Sequence, residues 1–272
     1  MLSRSVRSSA GPCIIEALET RALLSSPVSG EVEVFKPHTH GVSQLSANWW
    51  KWDLAFSAST PPAAPTDPVN DTTGALAGLN QSGKTFFLAG GAPGTARSFN
   101  VPAGKNVLVP LLVTELSTLE GAGSTPKEVR ANDKALADLI DNLHATIDGH
   151  VIPSAELFAH REVSPIFHFV AAPNNTSGDP AGFSGVASAD GYWLLLAPLP
   201  AGTHTINFGG GISSYGYSVD VTDTITVTGG EHKNGHESEN RTAFPSAAAS
   251  QGVSEHGDDE VLGNGKKDGV LD

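Results

Sequence analysis

The chain has 272 residues, 39% of them hydrophobic and 7% aromatic, enough to close a core in one medium domain with tails. Its 29 Asp and Glu against 16 Lys and Arg leave a net charge of −13, which argues against a phosphate-binding surface and against nucleic acid as a partner. One cysteine, Cys13, rules out an internal disulfide, and in the body of the chain a cysteine-based zinc site or a Cys–His catalytic pair.

Residues 1–30 read as a leader or address segment. Cys13-Ile14-Ile15 is too short for a secretory apolar core, and no run is long enough to make a transmembrane segment. The body, 31–228, opens with a predicted helix over 43–57, where Leu45, Trp49, Trp52 and Phe56 recur at helical spacing as one apolar stripe. Strands follow at 85–89 and 107–112. Thr125-Pro126-Lys127-Glu128 is a capping box with proline at the first helical position, and it starts a second helix over 126–142 with Val129, Leu136, Leu139, Ile140 and Leu143 inward. Further strands are expected at 144–148, 157–163, 166–170, 192–197, 203–208 and 217–227. Gly209-Gly210-Gly211 reads as a glycine-rich hairpin or loop. With 30 Gly and 18 Pro punctuating short elements, the fold class is mainly β: a β-sandwich or jelly roll with two inserted helices. Residues 229–272, poor in aromatics and rich in Gly, Ser, Glu, Asp and Lys, read as a disordered acidic tail.

Glu16 to Ser25 reads Glu-Ala-Leu-Glu-Thr-Arg-Ala-Leu-Leu-Ser behind a start containing Arg4 and Arg7. At Leu18, Glu19, Arg21, Leu23, Leu24 and Ser25 it resembles the LEPR-XLL segment of planctomycete-type exported proteins, with Thr20 where that family has proline. The resemblance implies an extracellular or cell-surface location. The body is similar to a group of exported bacterial proteins of unassigned function. The similarity runs through Trp49-Trp50-Lys51-Trp52, Asp71-Thr72-Thr73-Gly74, Phe86 to Gly90, Val101 to Lys105, Ala189-Asp190-Gly191-Tyr192 and Pro200 to Ile206. Many members of that group carry cysteines where this chain has Ala77 and Phe99, and the resemblance implies no activity.

Several residues are candidates for a site. Trp50 stands off the stripe shared by Trp49 and Trp52, beside Asn48 and Lys51, and is the aromatic best placed for an exposed contact. In an extended 157–163, His160 and Glu162 share a face, as a metal or acid–base pair would, with Arg161 opposite. Lys105 follows a turn and Glu115 ends a long apolar strand; a buried Glu115 needs a cation, and Lys105 or Arg161 are the ones available. His38 and His40 share a face if extended, His168 reads as a core-edge histidine, and His204 as solvent-facing. Asn264, Asp268 and Asp272 faintly resemble a calcium loop, although Lys266 occupies a ligand position. The tail also holds His232, His236 and His256. No cofactor and no metal site are assigned. The motifs of serine hydrolases, zinc proteases, phosphate-binding loops and dinucleotide folds are absent.

The reading is an exported, non-enzymatic surface or extracellular module for binding or structure, with carbohydrate or an envelope component as partner. The alternative is a polysaccharide-directed hydrolase or lyase, which requires Lys105, Glu115, His160, Arg161 and Glu162 to converge in one cleft.

Overall fold

A computed structural model describes residues 32–58 and 64–228, which belong to one compact unit. The LEPR-XLL-like segment, Cys13, the acidic tail with its three histidines and the Asn264–Asp272 run lie outside the described residues.

The fold is mainly β and sandwich-like. One mixed sheet has the order β1 (Thr85–Phe87), β3 (Asn106–Ser117), β9 (Ala187–Leu196) and β6 (Arg161–Val163). The other has the order β2 (Thr95–Pro102), β11 (Tyr217–Thr228), β10 (Gly202–Ile212), β4 (Asp141–Ile147) and β5 (His150–Val151). A small ribbon joins β7 (Val170–Ala171) to β8 (Gly182–Phe183). The Ala103-Gly104 turn carries the chain from β2 in the second sheet to β3 in the first, stitching the two together.

Strand alternation explains the layers. Val107 and Val109 on β3, with Leu194 and Leu196 on β9, meet Ile206 and Phe208 of β10 and Val221 and Ile225 of β11 in the core between the sheets. Leu108, Trp193 and Leu195 point the other way, into a second core under helix α1 (Val42–Asp53). With both faces covered, all ten residues of β9 are buried. A one-residue bulge at Leu111 resets the alternation of β3, so that Thr114 shares the inner face and Glu115 the outer.

Helix α2 (Pro126–Ala137) begins on the expected capping box: Thr125 Oγ1 accepts from Glu128 N at 3.3 Å, and Glu128 Oε2 accepts from Thr125 N at 3.1 Å. It stops five residues before the expected 142. Leu139 and Ile140 form a turn and Asn142 adopts φ 53°, so Leu143, Ala145 and Ile147 enter the core as alternate residues of a strand. Leu139 is exposed. The first helix likewise ends at Asp53, not 57, and Phe56 reaches Trp52 through a turn, edge to face at 5.4 Å.

The expected strand over 157–163 is a strand only at β6. Its first half belongs to a third, short helix α3 (Ser154–Leu157) and a 3-10 turn over Phe158–His160. Of 166–170, Phe167 makes one bridge to Ala187 and only Val170 is in a strand. Strand β2 was not foreseen from its sequence. The triple glycine is no loop but part of the last third of β10. A Cβ at Gly209 would sit 2.0 Å from Val219 O, and one at Gly210 2.7 Å from Leu143 Cδ2. Only glycine lets β10 lie that close to its neighbours.

A buried ion pair pins the second sheet. Arg97 of β2 and Asp223 of β11 are cross-strand partners, with Nε to Oδ1 at 2.8 Å and Nη2 to Oδ2 at 3.1 Å. The guanidinium also donates to Pro68 O, Ala89 O and Gly90 O, tying the 64–91 segment to the sheet.

Candidate functional site

A cavity of about 650 Å³ lies between the end of α1, the Gly90–Pro93 turn, the bulged middle of β3 and the start of β11. That volume is in the range of small-ligand pockets. Its wall contains Trp49, Trp50 and Asp53 from α1, Thr176 and Ser177 from the loop after β7, and Tyr217 and Ser218 from β11. Trp50 is not the exposed contact that its place off the stripe suggested. It is 9% exposed and packs edge to face on Trp49 at 5.0 Å. It nevertheless lines the cavity. Trp49 and Trp52 donate their indole N–H groups to Leu88 O and Leu79 O, whereas the Trp50 indole nitrogen is buried without a partner.

Asp53 is the group that sequence reasoning missed. Val42, Ser46, Trp49 and Asp53 follow one another at helical spacing and are all buried, so a carboxyl sits on an apolar face. That pattern was the available signal. Its Oδ2 accepts from Thr176 Oγ1 at 2.8 Å and its Oδ1 has no partner. Burial, helped by the charge of Asp67 and opposed by the Thr176 bond, pushes the Asp53 carboxyl up to about 7. Tyr217 stands on the cavity wall with 57% of its surface exposed.

The remaining sequence candidates go to separate places, and none of Lys105, Glu115, His160, Arg161 and Glu162 lines this cavity. Lys105 donates to Gly83 O at 2.8 Å. It immediately precedes β3, ten residues before Glu115 and ~33 Å away at the usual rise. Arg161 grips Asp190 with two bonds, at 2.7 and 2.8 Å, and Asp138 with a third at 2.7 Å, so it locks carboxylates other than Glu115. His160 and Glu162 do not share a strand face, because His160 lies in the 3-10 turn, where burial lowers its pKa. Glu162 instead accepts from the His38 N–H at 2.8 Å and lies 3.1 Å from the His38 ring. His38 and His40 both adopt left-handed φ, and His40 stacks on Phe35 at 4.0 Å. His168 is exposed and stacks on Phe183. His204 is buried, not solvent-facing: its Nδ1 lies 2.7 Å from Asp148 Oδ2.

Among the described residues Glu115 has no cationic partner. Its carboxylate oxygen lies within 4.8 Å of oxygens from Glu120 and Asp179. Burial first, then the charges of Glu120 and Asp179, pushes Glu115 up to about 10. Asp179 is raised to about 7 by burial and Glu120. A fourth acid, Asp133 on α2, accepts from Thr114 Oγ1 at 2.7 Å and is raised by burial to about 7.

No family model, curated protein or solved structure matches this chain. Among the described residues no helix is long and apolar enough to cross a membrane.

Proposed function

We propose that this protein is an exported binding module whose cavity takes an uncharged, polyhydroxylated ligand, such as a segment of neutral carbohydrate from the envelope or its surroundings. The location rests on the LEPR-XLL-like segment at 16–25. The ligand class rests on the cavity wall, and one observation carries it: two neighbouring residues of that wall, Trp50 and Asp53, each hold a buried polar atom without a partner among the described residues, the indole N–H and one carboxyl oxygen.

Such orphaned groups cost about 1–3 kcal/mol each, which hydrogen bonds to a ligand would recover. Hydroxyls of Thr176, Ser177 and Ser218 add donors and acceptors, and Tyr217 offers an exposed ring against which a sugar face can stack. No Lys, Arg or His is among the described lining residues, so nothing there compensates an anionic ligand. Asp53 is the only carboxyl of that lining, whereas glycoside hydrolysis uses two flanking carboxylates. The wall therefore favours binding over the hydrolase alternative.

The test is titration of the purified protein against neutral and acidic oligosaccharides. Tyr217→Ala, at an exposed position, is expected to weaken neutral-glycan binding about tenfold, the scale of one aromatic contact. Asp53→Asn is expected to change affinity without unfolding the protein. Binding that ignores both substitutions, or that prefers acidic glycans, overturns the reading.

A further inference from the structure

We propose that Glu115, Glu120 and Asp179 form a binding site for a divalent cation of the calcium class. The three side chains offer oxygens within 4.8 Å of one another. That spread fits the diameter of a calcium coordination sphere, ~4.6–5.2 Å for bonds of 2.3–2.6 Å.

The second observation is what lifts this group above a chance cluster of acids. Glu115 is 8% exposed, on the outer face of β3 opposite Ala189, and its Oε1 has no hydrogen-bond partner. Asp179 Oδ2, in the same group, is equally closed off and equally unbonded. A buried carboxylate normally has an arginine, a lysine or several N–H donors. The charges that act most strongly on Glu115 are acidic: Glu120, Asp179 and Asp133. Two acids that each hold a closed-off, unbonded oxygen are grouped with a third and have no cationic partner among the described residues, and a cation held between the three supplies the missing charge.

Local structure prepares the ligands. Glu120 Oε2 accepts from both Ser117 N and Ser117 Oγ at the end of β3, which fixes its direction. Asp179 is held by buried Asn175, whose Oδ1 accepts from Asp179 N at 3.1 Å and whose Nδ2 donates to Asp179 O at 2.9 Å. Glu120 is exposed, which leaves a path for the ion and room for water ligands. All three donors are carboxylate oxygens, the set that hard cations prefer and that zinc or copper sites seldom use. The loop that carries Asp179 also carries Thr176, so an ion here would anchor the segment that bonds Asp53, although the site stands whether or not the cavity binds carbohydrate.

The experiment is calorimetric titration of the metal-stripped full-length protein with CaCl₂ at pH 7.5, alongside its melting temperature with and without calcium, and no glycan present. One calcium per chain and a melting temperature raised by several degrees are expected. Glu115→Gln and Asp179→Asn should bind at least tenfold more weakly and lose the calcium-dependent rise. Without metal both should melt no lower than the parent, because a neutral amide needs neither a cation nor a proton to stay buried beside the other acids. No heat and no thermal shift in the parent up to about 10 mM calcium would overturn the site. So would calcium binding that both variants retain, which would place the ion elsewhere in the chain.

Discussion

The Thr176 hydroxyl donates to Asp53 Oδ2 across 123 residues of sequence, at 2.8 Å, while the other oxygen of the same carboxyl has no partner. One bond thus ties the end of α1 to the loop after β7 and leaves half-satisfied the carboxyl of a residue that lines the 650 Å³ cavity. Because burial raises this carboxyl to about 7, it changes from a hydrogen-bond donor to a charged acceptor near neutrality. Ligand affinity should therefore differ between pH 5.5 and 8.5 in the parent. In Asp53→Asn it should be flat over that range, by titration at both pH values.

Stability should fall as the pH is raised. Asp53 and Asp133 both stand at about 7 against an ordinary 3.8, chiefly through burial. With Asp179, raised to about 7, and Glu115, raised to about 10, the folded state keeps protons on four acids that the unfolded chain releases between about pH 4 and 7. Each group then removes up to about 1.4 kcal/mol per pH unit across that window. The buried His160, held low by burial, opposes this trend below about its ordinary 6.5. Asp138 and Glu128, held low by bonds from Lys134 and from the Ser124 N–H, oppose the trend only near and below their ordinary values and are ionised in both states by pH 6. Urea unfolding without divalent ions should show lower stability at pH 7.5 than at pH 6. Asp133→Asn should lessen the difference.

The Arg97–Asp223 pair makes a one-sided change expensive. Asp223→Asn or Arg97→Met leaves a buried charge without its partner and should cost about 3–5 kcal/mol. The combination Arg97→Met with Asp223→Leu should recover a large part of that loss, though not the three carbonyl bonds of Arg97. Urea midpoints of the two single variants and the double variant test this, and additive losses would contradict it.

Gly209→Ala should prevent folding or lower stability by several kcal/mol, since its Cβ would meet the backbone carbonyl of Val219, which cannot yield as a side chain can. Gly78→Ala, where a Cβ meets nothing within 4 Å, should change stability by about 0.5 kcal/mol or less. Melting temperatures of the two variants give the comparison.

The features legible in the sequence were those whose signal is local. The capping box at Thr125 states where α2 begins, and Val219, Val221, Ile225 and Val227 state which face of β11 is buried. The end of α2 was not legible, because Leu136, Leu139, Ile140 and Leu143 fit a helical stripe as well as they fit a turn followed by a strand. Glycines 209–211 looked like a loop for the same reason. What forbids side chains there is the neighbouring strand β11 and Leu143 on β4, not anything adjacent in the chain.

The sequence by itself determined a mainly β body without cysteine in its folded part, the start of its long internal helix and the buried alternation of its last strand. Tertiary structure alone decided which charges meet. Glu115 faces Glu120 and Asp179 instead of Lys105 or Arg161, Arg161 goes to Asp190 and Asp138, and Asp53 goes to Thr176. Periodicity and capping depend on residues three or four apart, which the chain spells out. Charge neighbours depend on sheet register and loop return across many tens of residues, and a single bulge at Leu111 is enough to turn Glu115 from one face of its strand to the other.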